Sequence, residues 1–167
     1  MYSFRKQAIL KEMGQEDNTN RWRRTAWGRL KFELAGLAFA MKNGFYLEDY
    51  ARHLWSEGAV KWMGKENPTI PEYLLKEEEA FRTLYPQVNF EVGILSEDKS
   101  ELTFCTGTCL GGWGRDQWGM AHSLGLGKGH VCRYCRQAFR SWSGQLGLAA
   151  LPEPKTDETC ILTVVKG

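Results

Sequence analysis

The hydrophobic period of this chain changes once, near residue 88, and that change limits the folds open to it. Before it, apolar residues recur three and four positions apart; after it, they alternate with polar ones. The first spacing lines one side of a helix and the second one face of a strand. Asn18 or Thr19 can cap a first helix running to about Lys42, with Trp27, Leu30, Leu34, Leu37, Ala38 and Met41 on one face and Gly44 just past its end. Leu47, Tyr50, Ala51, Leu54, Trp55, Gly58, Ala59, Trp62 and Met63 predict one continuous second helix, stopped by Gly64. Thr69-Ile70-Pro71-Glu72 has capping-box spacing and opens a third, whose stripe is Tyr73, Leu74, Ala80, Phe81 and Leu84 and which Pro86 closes.

Beyond the switch, Val88, Phe90, Val92 and Ile94 alternate with polar or small residues, and a turn over 96–100 leads into Leu102-Thr103-Phe104. This predicts a β-hairpin with one buried face. A Gly-rich stretch follows, then a short helix over about 116–124, a longer one over 130–145, and a last hairpin from 146–151 and 160–165. Helices, two strands, two helices, two strands is an α+β order. The expectation is a single domain over 1–167, the size of one compact unit. Its helical half, 1–87, packs on a twisted antiparallel sheet of about four strands, with two further helices between the hairpins in the half 88–167.

Charge narrows the partners. Twenty-two Lys and Arg against 20 Asp and Glu leave +2, which gives no field for nucleic acid or an acidic membrane. The basic run Arg21, Arg23, Arg24, Arg29 and Lys31 around Trp22 and Trp27 reads as a solvated helix face. The longest apolar run, Leu34 to Met41, is far too short to span a bilayer. Residues 1–6 lead into no apolar signal region, so a soluble cytoplasmic protein is expected. Gly125-Leu-Gly-Lys-Gly129 lacks the Lys-Ser/Thr of a phosphate loop. Seven Trp point to an aromatic core or to a pocket for a flat apolar ligand. The partners expected are a small-molecule ligand or substrate, with no nucleic acid and no membrane; a homodimer is left open.

All five cysteines fall in the last 63 residues. Cys105-Thr-Gly-Thr-Cys109 and Cys132-Arg-Tyr-Cys135 are two close pairs separated by 22 residues, an arrangement that resembles paired-Cys zinc sites. A short loop converges two thiolates on one cation, and a second such loop completes a tetrahedron. His130 and His122 are further candidate ligands, either of which can replace a thiol. Four closed protein ligands make a structural site, whereas three plus water make a catalytic one. The alternatives are a [4Fe–4S] cluster, a dithiol redox couple, or buried thiols without metal. Trp113 and Trp118 flank the Gly-rich stretch as candidate pocket walls around a bound ligand. Cys160 reads as a buried thiol of the last strand. His53 and Glu57, at i and i+4, read as the polar edge of the second helix, and Glu33 reads equally as a buried carboxyl or a surface one.

The order from Cys105 through Gly129-His130-Val131-Cys132 to Asp157-Glu158-Thr159-Cys160 resembles the L-2-amino-thiazoline-4-carboxylic acid hydrolase-like family and related small metal-binding (seleno)proteins, over residues 88–167. Cys135 stands where the hydrolase branch has an acidic residue, which favours the metal-binding branch. The resemblance also implies similarity to the vinyl-reductase-like ligand-binding fold. The functional expectation is a Cys-rich metal protein holding Zn²⁺ or, alternatively, an iron–sulfur cluster. It is either a metal-dependent hydrolase of a small heterocyclic or thiol-containing substrate, or a non-catalytic ligand-binding or sensor module.

Overall fold

The computed structural model describes residues 18–84, 89–105, 115–156 and 159–167. Among them, six helices and four strands follow in the order the sequence predicts: α1 (Asn18–Lys42), α2 (Leu47–Leu54), α3 (Ala59–Met63), α4 (Ile70–Leu84), β1 (Phe90–Leu95), β2 (Lys99–Phe104), α5 (Arg115–Ser123), α6 (Lys128–Gly144), β3 (Leu148–Pro154) and β4 (Cys160–Lys166). The strands form one antiparallel sheet in the order β1-β2-β4-β3. The fold is α+β.

Register decides which side of the sheet is core. Leu102, Leu162 and Pro152 lie in one row, and Ser100, Val164 and Ala150 in the next; all six are buried. α4 packs on β2 and β4, and α6 on β3, over this face. Ser143 is buried where α6 meets β3, and its hydroxyl accepts the Ala150 N–H at 2.9 Å, so that no backbone donor is stranded there. α1 and α2 gather with α5 and α6 around a second cluster built on Leu30, Leu34, Leu37, Ala51 and Val131.

Local signals placed most boundaries. At the start of α4, Thr69 N–H donates to Glu72 Oε2 at 2.7 Å and Glu72 N–H donates to Thr69 Oγ1 at 3.3 Å, the reciprocal capping the sequence predicts. Gly44, past α1, has φ +82°, as a left-handed helix stop requires. Pro86 lies outside the described residues.

Two expectations are corrected. The helix predicted over 47–63 is two, broken at residues 55–58, and Glu57 therefore lies in the turn while His53 stays on α2; both are exposed. Gly58 takes φ +101°, with the Trp142 ring 3.4 Å from where a Cβ would sit. The Gln145 side chain compensates the break: its amide donates to Trp55 O at 2.9 Å and its carbonyl accepts the Ala59 N–H at 3.2 Å. The second correction concerns the first hairpin, where only Phe90 of β1 is buried and Val92, Ile94 and Leu95 are 38%, 41% and 50% exposed. β1 is an edge strand, and its pairing with β2 slips between Val92 and Ile94. Gly93 is the extra residue, so Ile94 is turned to the face opposite Val92.

Candidate ligand-binding cavity

Between α4 and α6, above the end of the sheet and beneath α1, lies a cavity of about 600 Å³. Trp55, Trp62, Phe81, Phe139 and Trp142 are among its walls. They form two aromatic groups: Trp55 meets Trp142 edge-on at 5.5 Å between centroids and Trp142 meets Trp62 at 5.7 Å, while Phe81 stacks on Phe139 at 6.4 Å. Edge-to-face and offset-stacked ring pairs fix ring orientation as well as burying area.

Three glutamates line the cavity, of which Glu79 is exposed and paired with Lys76, while Glu77 and Glu33 are neither exposed nor in an ion pair among the described residues. Glu77, on α4, is 7% exposed, and Tyr73 one turn earlier donates its hydroxyl to Glu77 Oε1 at 2.6 Å. Burial pushes the Glu77 carboxyl up to about 7 against a partial opposing effect of the Tyr73 bond, and burial beside Glu77 pushes the Tyr73 phenol well above its ordinary range. Glu33, on α1, is half-buried and accepts the Tyr134 hydroxyl at 2.6 Å, while Tyr134 in turn accepts the Trp55 indole N–H at 2.9 Å. This relay ties α1, the turn after α2, and α6 together. Burial and the Glu33 charge push the Tyr134 phenol far upward, so it acts as a neutral donor.

Cys132 and Cys135 lie one turn apart on α6, and both line the cavity. Burial raises the Cys132 thiol, opposed by the positive charges of Lys128 and Arg136. Cys160 opens β4, is half-buried against the sheet core, and is among the residues lining the same cavity. Cys105 follows β2, its N–H bonded to Asn89 O at 2.9 Å, and strand alternation turns it away from the face that carries Phe104. His130 sits in the first turn of α6, where its Nδ1 accepts the Gly127 N–H at 3.1 Å and so caps the helix; His122 is exposed near the end of α5. Cys109 and Trp113 lie outside the described residues. Among the described residues, no group of three or more His, Cys, Asp or Glu side chains is placed to hold a metal ion.

Trp118, named from the sequence, does line the cavity. Lys128 Nζ lies 5.7 Å from the centre of its ring, and its buried Nε1 has no hydrogen-bond partner among the described residues. Glu77 and Tyr134 were missed as site residues. The signal for Glu77 was present: it falls four positions after Tyr73 and four before Phe81, inside the apolar stripe of α4. Tyr134 sits within the Cys132–Cys135 pair and was passed over for the thiols around it. No family model, curated protein or solved structure matches the chain. Among the described residues no helix is long and apolar enough to cross a membrane.

Proposed function

We propose that the chain is a small-molecule-binding module whose ligand occupies the aromatic cavity between α4 and α6. The observation that carries this reading is the cavity itself: about 600 Å³ of space walled largely by Trp, Phe and Tyr rings, with Glu33, Glu77 and Glu79 among its polar lining residues. Volume in this range suits a drug-sized ligand, and an apolar wall with few polar groups is the usual composition of such sites. Nile red, a neutral apolar dye that fluoresces on leaving water, tests this reading. One equivalent is expected to bind, and Ala138→Trp or Ala80→Trp, which fill the cavity from α6 and α4, are expected to weaken binding at least tenfold with circular dichroism retained. Dye affinity that neither variant changes would overturn the reading.

Cys132 and Cys135, one turn apart on the same wall, favour a second reading in which that wall also holds a thiophilic metal such as zinc. The test is the metal content of the purified protein. About one equivalent is expected, lost in Cys132→Ser/Cys135→Ser. Protein free of metal would remove this reading and leave the first standing.

A further inference from the structure

We infer that the cavity selects an organic cation, an apolar amine whose ammonium group pairs with Glu77 and is favoured further by the charge of Glu33 across the cavity. The inference rests on the cavity being a ligand site and adds the charge of the ligand. Both carboxyls line the cavity, one from α4 and one from α1, and each is held by a phenol alone. Among the described residues, neither forms an ion pair with a basic side chain. The basic groups on the same wall are engaged elsewhere. Lys76 pairs with Glu79 at 2.8 Å, Arg29 lies over the Trp55 ring at 6.0 Å, and Lys128 lies over Trp118. A buried carboxylate without a counter-charge is costly and takes up a proton instead. An ammonium ion supplies the missing charge, and the indole faces around it attract a cation further. Arg29, Lys76, Lys128 and Glu79 also line the cavity, so the selection is set locally, where Glu77 and Glu33 have no basic partner among the described residues.

A pH dependence follows. The other titratable groups around Glu77 are Glu33 and Arg29 from α1, Lys76 and Glu79 on its own helix, and Tyr73 beside it. From the opposite side come Lys128, Cys132, Tyr134 and Cys135 on α6, and Cys160 on β4. Of these, Glu77 changes charge near neutrality, because burial holds it up to about 7. Below pH 7 it must release its proton to pair with the amine, so amine affinity falls on acidification by up to about tenfold per pH unit, and levels off above pH 7.

The experiment displaces bound Nile red with tryptamine or with tryptophol, which has the same ring and chain but ends in a neutral hydroxyl. At pH 8 tryptamine is expected to compete at least tenfold more tightly, and the ratio is expected to shrink towards pH 5.5. Glu77→Gln is expected to cut the ratio at least fivefold and flatten its pH dependence; Glu33→Gln lowers it with the slope kept. Using the ratio cancels any general effect of a variant on the cavity. Equal competition by the two probes in the wild-type protein at pH 8 would overturn the inference while leaving the cavity reading intact, and so would a preference that survives in both variants. Dye that binds elsewhere overturns the cavity reading, and the inference with it.

Discussion

The two sides of the cavity hold their carboxyl groups by different means. On the α4 side, Glu77 is buried and has one bond, from a tyrosine on its own helix one turn away. On the α1 side, Glu33 is half-buried and closes a relay across three segments far apart in sequence, from the Trp55 indole through Tyr134. A bond between i and i+4 of one helix forms with that helix and fixes nothing else. A relay between segments 79 and 101 residues apart exists only when the tertiary fold is in place. The α4 side is therefore the electrostatically loaded wall, and the α1 side is the wall that reports assembly. Each expectation below tests that contrast.

The largest effect belongs to Glu77 and is one of pH. Its carboxyl rises from an ordinary 4.5 to about 7 in the folded chain, so between those values the native state holds a proton that the unfolded state has lost. Its stabilising contribution is complete below pH 4.5 and is lost as pH rises through 7. The gap corresponds to roughly 3 kcal/mol. Glu77→Gln, neutral throughout, should remove this component. The difference in urea-unfolding free energy between wild type and variant, measured from pH 4.5 to 8, should move in the variant's favour by about that amount. A difference that stays flat with pH would mean that the cavity wets Glu77 and that the two walls are alike.

Next comes the paired removal of the two phenols. Tyr134→Phe leaves both the Trp55 N–H and Glu33 without their partner and should cost about 2 kcal/mol. Tyr73→Phe breaks a single bond and should cost about 1 kcal/mol, while pushing the Glu77 carboxyl still higher. Equal losses in denaturant unfolding would show that the relay adds nothing beyond one hydrogen bond.

Much of this architecture was legible from the sequence. Period, capping box and glycine stops placed α1, the start of α4, and both hairpins, because these signals are local. The break between α2 and α3 was not legible, since Gln145, which satisfies it, lies 86 residues beyond Ala59. The exposure of β1 was hidden for a similar reason: alternation shows that a strand has two faces, whereas the slip at Gly93 and the edge position belong to the sheet. The thiol spacing points to α6, which supplies only part of the cavity wall. Cys132 and Cys135 do line the cavity, as does Trp118, while His130 serves as a helix cap. The carboxyls were readable only as acidic residues interrupting apolar stripes, a pattern that periodicity alone discounts.

A smaller effect isolates the α1 side further. Gln145 bridges Trp55 O and the Ala59 N–H, and so holds the turn from which the Trp55 side chain reaches Tyr134. Gln145→Leu strands one donor and one acceptor in a part-buried turn and should cost about 1.5 kcal/mol. Because it loosens Trp55, combining it with Tyr134→Phe should cost less than the sum of the two. Strict additivity would separate the turn from the relay.

Thr69→Ala should have the smallest effect and acts on the other wall. It removes the hydroxyl that accepts the Glu72 N–H at the start of α4, one turn before Tyr73, and should cost about 1 kcal/mol, restored by serine. Glu72 itself is exposed, and its carboxylate is held down to about 2, chiefly by Lys65 and then by the Thr69 N–H. Its contribution is present above pH 4.5 and fades as pH falls towards 2, the reverse of the direction set by Glu77 on the same helix. If the cap only anchors the first turn, Thr69→Ala lowers stability equally at pH 5 and pH 8, and the slope from Glu77 is unchanged. If the loss instead grows with pH, fraying at residue 69 reaches Tyr73 and loosens its bond to Glu77, and the α4 wall is then no more self-contained than the relay opposite it.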